Sequence, residues 1–459
     1  MSKRVIPARP AALTATVLAI GVFAHCAVAE VKPKEFSGMS FLDNGEIRLG
    51  VNLDIGGAIT YLADSKKRIN VINSYDWGRQ VQMSFYSGPR PFEPNGKKPS
   101  SHWSKLGWNP IQSGDYKGFR SKVIAHTNDK KTIYIKCIPM HWPLANVPGR
   151  CTFECRLSLD GRAVKVWSRL NNARADKTQY QGRHQELPAV YTNGPYYRLM
   201  SYTGDKPFTG DKVVRIIQKT KPWQRFTPTE CWSALVNDSG WGLGVWHPGR
   251  GFALGGFAGK PGAGGPKDNP TGYISPLHSE ILDCNIRYEY SYALVLDTLA
   301  NIRKYVYKNA KRPAPPNYVF KSDRQHWIYR NATDTGWPIE GELHVKLDQR
   351  DPQMIGPVSF WSAADAPRLY IRAAFKTKAT HGHVMWRIGG AEGRSFGQNN
   401  TAFEITGDGK YRTYEVDLSA SPKYKGVITQ LRFDPVPSGA KGDFVKVQSI
   451  AFARPAKRQ

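Results

Sequence analysis

Asn73-Ser74-Tyr75-Asp76-Trp77-Gly78-Arg79-Gln80-Val81-Gln82-Met83-Ser84-Phe85-Tyr86 packs a carboxylate, a guanidinium, side-chain amides and four aromatic rings into 14 residues. From Arg79 onward polar and apolar residues alternate, which is the period of a strand with one face on a core. The other face carries Gln80, Gln82 and Ser84, with Tyr86 at its end. Asp76, Trp77, Gly78 and Arg79 form the turn leading into the strand. Flat rings beside planar hydrogen-bonding groups suit a sugar, which offers C–H faces to stack on and hydroxyls to bind. The inward residues read as buried strand. Asp76, Arg79 and Gln82 read together as a binding group.

Around this stretch the chain is β-rich. Ile47–Val51 and Ala58–Leu62 are short strands joined at Gly56-Gly57. Ser87 to Ser121 is a long proline-rich segment carrying His102-Trp103, Trp108-Asn109-Pro110 and Gly114-Asp115-Tyr116. A loop this long in a compact domain is functional or disordered, and its rings argue against disorder. It reads as a binding wall. Alternation returns at Thr132–Cys137, Cys151–Leu159 and Ala163–Leu170, an antiparallel meander turned by Asp160-Gly161. In Gly182-Arg183-His184-Gln185-Glu186-Leu187-Pro188, Pro188 excludes a helix interior. On an extended chain His184 and Glu186 therefore share a face, an acid/base pair of the type proton transfer needs. Trp- and Gly-rich sequence follows from Glu230 to Phe257. Phe257 to Thr271 reads as a mobile flap. His278, Glu280 and Asp283 read as a solvated lead-in to the strand Tyr288–Leu296. Asn301–Lys311 is the one expected helix. Arg312-Pro313-Ala314-Pro315-Pro316 cannot continue it, and a domain boundary is placed there.

Beyond it, strands recur at 342–347, 368–375, 383–388, 401–405, 411–418, 428–433 and 445–452. This spacing predicts a β-sandwich or jelly roll. The expected organisation is a signal peptide at 1–29, a candidate catalytic domain at 30–312 and a second sandwich at 313–459. The signal peptide rests on Lys3, Arg4 and Arg9, the apolar run from Ala11 to Ala29 and the Ala27-Val28-Ala29 cleavage pattern. No later stretch is apolar and long enough to span a bilayer. The mature protein is expected to be exported, periplasmic or secreted.

The formal charge is +28, and +25 once the three signal-peptide cations are removed. Of this, +18 lies before Pro313 and +7 after it. Such a balance favours acidic polymers or anionic surfaces as partners. Nucleic acid is disfavoured by export and by the lack of a basic helix or recognition motif. Five cysteines follow the signal peptide. Cys137 and Cys155 lie symmetrically about Asn146, the middle of an expected hairpin, which admits a cross-strand disulfide. Their spacings do not fit a zinc site.

The first domain resembles the galactose-mutarotase-like β-supersandwich of aldose epimerases, which recurs in several polysaccharide lyases and glycoside hydrolases. The resemblance rests on Gly57-Ala58-Ile59-Thr60-Tyr61-Leu62, on Asn73 with Gly78-Arg79, and on His184 and Glu186 with the later aromatic strands. It implies a sugar-binding arginine at Arg79 and proton transfer by His184 and Glu186. Glu280 fits the late position of the epimerase glutamate, so both glutamates stand as candidates for the base. The second domain is similar to carbohydrate-binding jelly rolls, through Tyr411–Leu418 and Ile428–Pro435. Such modules often hold a structural calcium, whose ligands the sequence does not identify. Trp361, Tyr370 and Trp386 read individually as core.

The reading reached is a carbohydrate-active enzyme cleaving a polysaccharide, with no cofactor. Hydrolysis would draw its two carboxyls from Asp76, Asp115, Glu186 and Glu280. β-Elimination would use Arg79, Gln82, His184 and Tyr191. Trp77, Trp103 and Trp108 would stack on the sugar, with Tyr86 beside them. The rival classes are a non-catalytic glycan-binding protein and a structural envelope protein.

Overall fold

The computed structural model describes residues 35–249, 251–311, 313–389 and 396–454. The expected signal peptide lies outside the described residues. The alternating stretch Val81–Ser84 (β1) is a strand, as are Arg183–Asn193 (β2), Thr271–Glu280 (β3) and Arg287–Thr298 (β4). The described helix is Leu299–Asn309 (α1), capped by the Thr298 side chain.

Two large antiparallel sheets pack face to face in the first half. The front sheet runs Met39–Asp43, Ile47–Asn52, Ala58–Asp64, β1, β2, β3, Ala253–Ala258, Gln224–Phe226. The back sheet has nine strands and places β4 beside Ala163–Asn172. Val81, Met83 and Phe85 point between the sheets, where Phe85 meets Phe153 at 5.3 Å between ring centroids. Burial of apolar area here is the main favourable term for the fold. The amphipathic helix α1 covers the outer side of the back sheet with Ile302 and Val306. Gly244 makes that approach feasible, since a Cβ there would lie 2.4 Å from Ile302.

The second half folds into two further six-stranded antiparallel sheets around their own core. Trp361 and Trp386 are buried there, with indole N–H groups donating to the Tyr424 hydroxyl and the Lys423 carbonyl. Tyr370 is buried as well. These rings serve as core and offer no platform for a glycan. From Glu35 on the chain forms one compact unit. Among the described residues no helix is long and apolar enough to cross a membrane.

Two expectations need correction. The five described cysteines are free thiols. Cys137 stands opposite Phe153 and Cys155 opposite Ile135, so the two are diagonal neighbours. Diagonal partners sit roughly 7–8 Å apart, beyond the ~4.4–6.8 Å Cα span of a disulfide. Nor are His278, Glu280 and Asp283 a solvated lead-in. All three are buried, and the second sandwich covers them. Arg324 reaches across to Asp283 at 2.5 Å, and His326 to Glu280 at 2.7 Å.

Candidate functional site

Alternation in β1 does turn Gln82 and Ser84 away from the core, but the 87–121 segment lies over them. Ser113 donates from its hydroxyl to Gln80 Oε1 at 2.9 Å and to Gln82 Oε1 at 2.8 Å. Gln82 Nε2 donates to the Trp77 carbonyl at 3.2 Å. Gln82 is thus spent on holding the insert to the sheet, and it is 3% exposed. Asp115 is a loop tie: its carboxylate accepts from the backbone N–H groups of Lys117, Phe119 and Asn146. Trp108 is 1% exposed, edge-on to His141. None of these three presents a surface to a ligand. Trp77 and Trp103 are half-buried. Trp103 packs edge-on against Trp142 at 5.7 Å, and the Trp142 ring borders Gly78. A tryptophan wall therefore flanks the Asp76–Arg79 turn.

Arg79 is not free to bind a sugar by itself. Its guanidinium pairs with Asp76 at 3.2 Å and donates to the Asn269 carbonyl at 2.5 Å and the Asn269 side chain at 2.9 Å. Asn73 Nδ2 donates to the Asp268 carbonyl, Ser74 N–H to the Pro266 carbonyl and Lys267 Nζ to the Ser74 carbonyl. The expected mobile flap is therefore a strap tied down by the stretch 73–79. Arg79→Ala removes two of its ties. Tryptic cleavage after Lys267 is expected to accelerate roughly tenfold, as local opening loses about one charge-assisted hydrogen bond's worth of stability. Unchanged proteolysis would mean the remaining ties suffice.

The centre of the site is Glu186. It lies opposite Ser84 of β1 and Leu277 of β3, and Tyr191 lies opposite Tyr273. Residues 186 and 191 are five apart, so a regular strand would turn them to opposite faces. The register shifts between Glu186 and Val190. This bulge adds one residue to β2 and returns Tyr191 to the face of Glu186. Three rings cluster there: Tyr191–Tyr273 at 4.6 Å, Trp223–Tyr273 at 4.8 Å and Tyr191–Trp223 at 6.4 Å. Tyr86 closes the other side and accepts a hydrogen bond from the Ser84 hydroxyl at 3.1 Å.

Burial raises the Glu186 carboxyl above its ordinary value, although the hydroxyls of Tyr86 and Tyr273 beside it act in the opposite sense. Burial also pushes up the Tyr191 hydroxyl, helped by the charges of Glu186 and Asp76 and eased by Arg79. Glu186, Asp76 and Arg79 thus all act electrostatically on Tyr191. The Tyr273 hydroxyl is buried beside the Glu186 carboxyl and the Ser275 side chain.

His184 shares the Glu186 face, as the two-residue spacing requires, but works in different surroundings. Its Nδ1 is 2.9 Å from the Ser279 hydroxyl and its ring lies 5.3 Å from Phe252. Burial, then Arg225 and Arg183, lower its pKa. It lines a cavity of about 250 Å³ with Arg225, Phe252 and His326, and Glu186 is outside that wall. Glu280 does not join Glu186. It lies three positions beyond Leu277 on β3, so it faces the opposite side of the sheet. There it accepts from the Tyr288 hydroxyl at 2.8 Å. Sequence reasoning missed Trp142, Trp223 and Tyr273. Tyr273 becomes conspicuous only once the register sets it against Tyr191.

No protein-family model matches the chain, and no curated protein matches it. Among solved structures, a galactose mutarotase related enzyme from Lactobacillus acidophilus aligns over 56% of this chain and 97% of its own, at 12% identity and a TM-score of 0.35. A galactose mutarotase-like protein from Lactobacillus casei aligns over 56% and 100%, at 10% identity and 0.35. One from Clostridium acetobutylicum aligns over 56% and 95%, at 8% identity and 0.36. Likeness at this level carries no argument about activity.

Proposed function

We propose that this protein is an exported enzyme that cleaves a polysaccharide at Glu186, with proton transfer as its chemistry. What carries the reading is one half-buried carboxyl of raised pKa, faced by tyrosine hydroxyls and flanked by packed aromatic rings. A carboxyl whose pKa is raised in this way holds its proton more readily than a free one and can take up and return it. The rings of Trp223 and Tyr191 supply apolar faces for a sugar, and the hydroxyls supply donors and acceptors for its own.

Of the two reactions, elimination asks for a single base and hydrolysis for two carboxyls, and Glu186 with its tyrosine hydroxyls meets the first requirement. Arg79 and Gln82, expected to neutralise the uronate, are engaged within the protein. Hydrolysis needs two carboxyls across the scissile bond. The other acid near Tyr191 is Asp76, and it is engaged by Arg79 and by the Gly78 N–H at 2.8 Å. In elimination Glu186 takes the proton beside a uronate carboxyl, the bond to the leaving sugar oxygen breaks and leaves a carbon–carbon double bond, and the carboxyl returns the proton to that oxygen, which departs as a hydroxyl. The charge of +18 on the first part of the chain suits an anionic polymer of this kind.

A panel of neutral and acidic glycans tests the proposal. Ultraviolet-absorbing unsaturated products are expected. New reducing ends without them would favour a hydrolase, and binding without any product would leave a glycan-binding protein of the envelope. Trp223→Ala is expected to weaken glycan binding about tenfold, the loss of ~1.4 kcal/mol of stacking. Calorimetry measures it, and an unchanged affinity would place the sugar elsewhere. Binding to an acidic glycan should also weaken with salt.

A further inference from the structure

We propose that His278, Glu280 and His326 bind a divalent transition-metal ion, zinc in the first instance, at the junction of the two sandwiches. The proposal does not depend on the Glu186 chemistry. His278 and Glu280 are two apart at the end of β3 and so project to one face. His326 arrives from the other sandwich. One ligating atom from each of the three lies within 4.8 Å of the others. Glu280 Oε1 contacts Nδ1 of His278 and lies 2.7 Å from Nδ1 of His326. The two imidazole rings meet edge to face at 4.0 Å.

The backbone delivering His326 is held in a costly shape. Gln325 and His326 are consecutive non-glycine residues in the left-handed region, at φ 47° and 65°. Such a residue persists only where its surroundings enforce it. Here the surroundings are explicit. Arg324, the preceding residue, is clamped to Asp283 and Asp334, and Gln325 N–H donates to Asp323 Oδ1 at 2.7 Å. The result is an imidazole aimed at a carboxylate and a second imidazole. Strain of this kind clusters at ligand clamps.

The donor set names the ion class. Two imidazoles and one carboxylate suit zinc and its neighbours, whereas calcium takes six to eight oxygens. Bonds of about 2.05 Å in a tetrahedron set donors about 3.3 Å apart. The three atoms would open from hydrogen-bond contact to that spacing. His326 has the freedom to do so, being 35% exposed at its side chain, against 7% and 8% for His278 and Glu280. Three protein ligands leave a fourth position. The cavity of about 250 Å³ beside them, lined also by His184, Arg225 and Arg387, has room for a water or an anion there. The ion would join the halves through ligands from both.

The test uses the full chain, stripped with chelator and titrated with Co²⁺ and then Zn²⁺. Expected are one tightly held ion per chain, visible d–d absorption from cobalt and a higher unfolding temperature with zinc. His326→Ala should weaken binding about 100-fold or more and abolish the cobalt spectrum. His278→Gln serves as a second variant. The His381–His383 pair, with rings 5.4 Å apart, is the competing surface site. A full cobalt signal in His326→Ala would assign the ion to that pair and overturn the proposal. So would the absence of any cobalt signal in the wild-type chain, which would leave a hydrogen-bonded His–Glu–His cluster.

Discussion

Glu186→Gln is expected to lower turnover of the glycan substrate by about 10²–10⁴-fold while binding persists. The amide keeps the size of the carboxyl and can still meet the hydroxyls of Tyr86 and Tyr273, but it cannot carry a proton through a reaction. Initial rates beside calorimetric affinities separate the two effects. Equal loss of rate and affinity would make Glu186 a binding group only. The same variant has a stability signature. Because burial raises the carboxyl, the folded state holds the proton more tightly than the unfolded chain. Folding is therefore penalised progressively as pH rises from the ordinary value of 4.5 through the folded value. Below 4.5 the penalty is absent, because both states are protonated. Glu186→Gln removes it, so the variant should unfold at a higher temperature than wild type at neutral pH. The two should converge in acid. A variant less stable at neutral pH would mean the carboxylate is better solvated than its surroundings indicate.

Arg324→Met is expected to cost about 3–5 kcal/mol in chemical denaturation, because it leaves two buried carboxylates without a cation. Arg324 holds Asp283 at 2.5 Å and both oxygens of Asp334 at 2.6 Å. Gln179 ties the same two acids from the first sandwich, at 3.2 and 2.6 Å. Burial alone would raise Asp334, but the Arg324 contacts outweigh it and its pKa is lowered. A depressed carboxyl stabilises the fold above its unfolded value and loses that contribution as pH falls through the folded one. The penalty of Arg324→Met should therefore shrink in acid. A loss below about 1 kcal/mol would show that water reaches the acids once the guanidinium is gone.

The fold was largely legible because its signal is local. The alternation at Gln80–Tyr86, the turn at Asp160-Gly161 and the strands of the second half each follow from residues a few positions apart. The site was legible only where it depends on the same period. His184 and Glu186 share a face because two is the period of a strand. Glu280 was misplaced because its face relative to Glu186 depends on which residue of β3 pairs with which of β2. Tyr191 reaches Glu186 only through the bulge near Pro188, and the sequence marked that proline simply as a helix excluder. Trp103 and Trp108 look alike as residues, yet one edges a wall and the other lies sealed beside His141. Long-range packing separates them, and no local pattern encodes it.

Burial in the meander pushes up the thiols of Cys137, Cys151 and Cys155, that of Cys155 to about 12. Protonated and enclosed, they are poor nucleophiles and poor targets for oxidants. Among the described residues the first sandwich holds its shape without a disulfide. Dithiothreitol should leave its melting curve where it was. Production in a reducing cytoplasm, with no oxidative folding machinery, should yield the same sandwich as passage through an oxidising compartment.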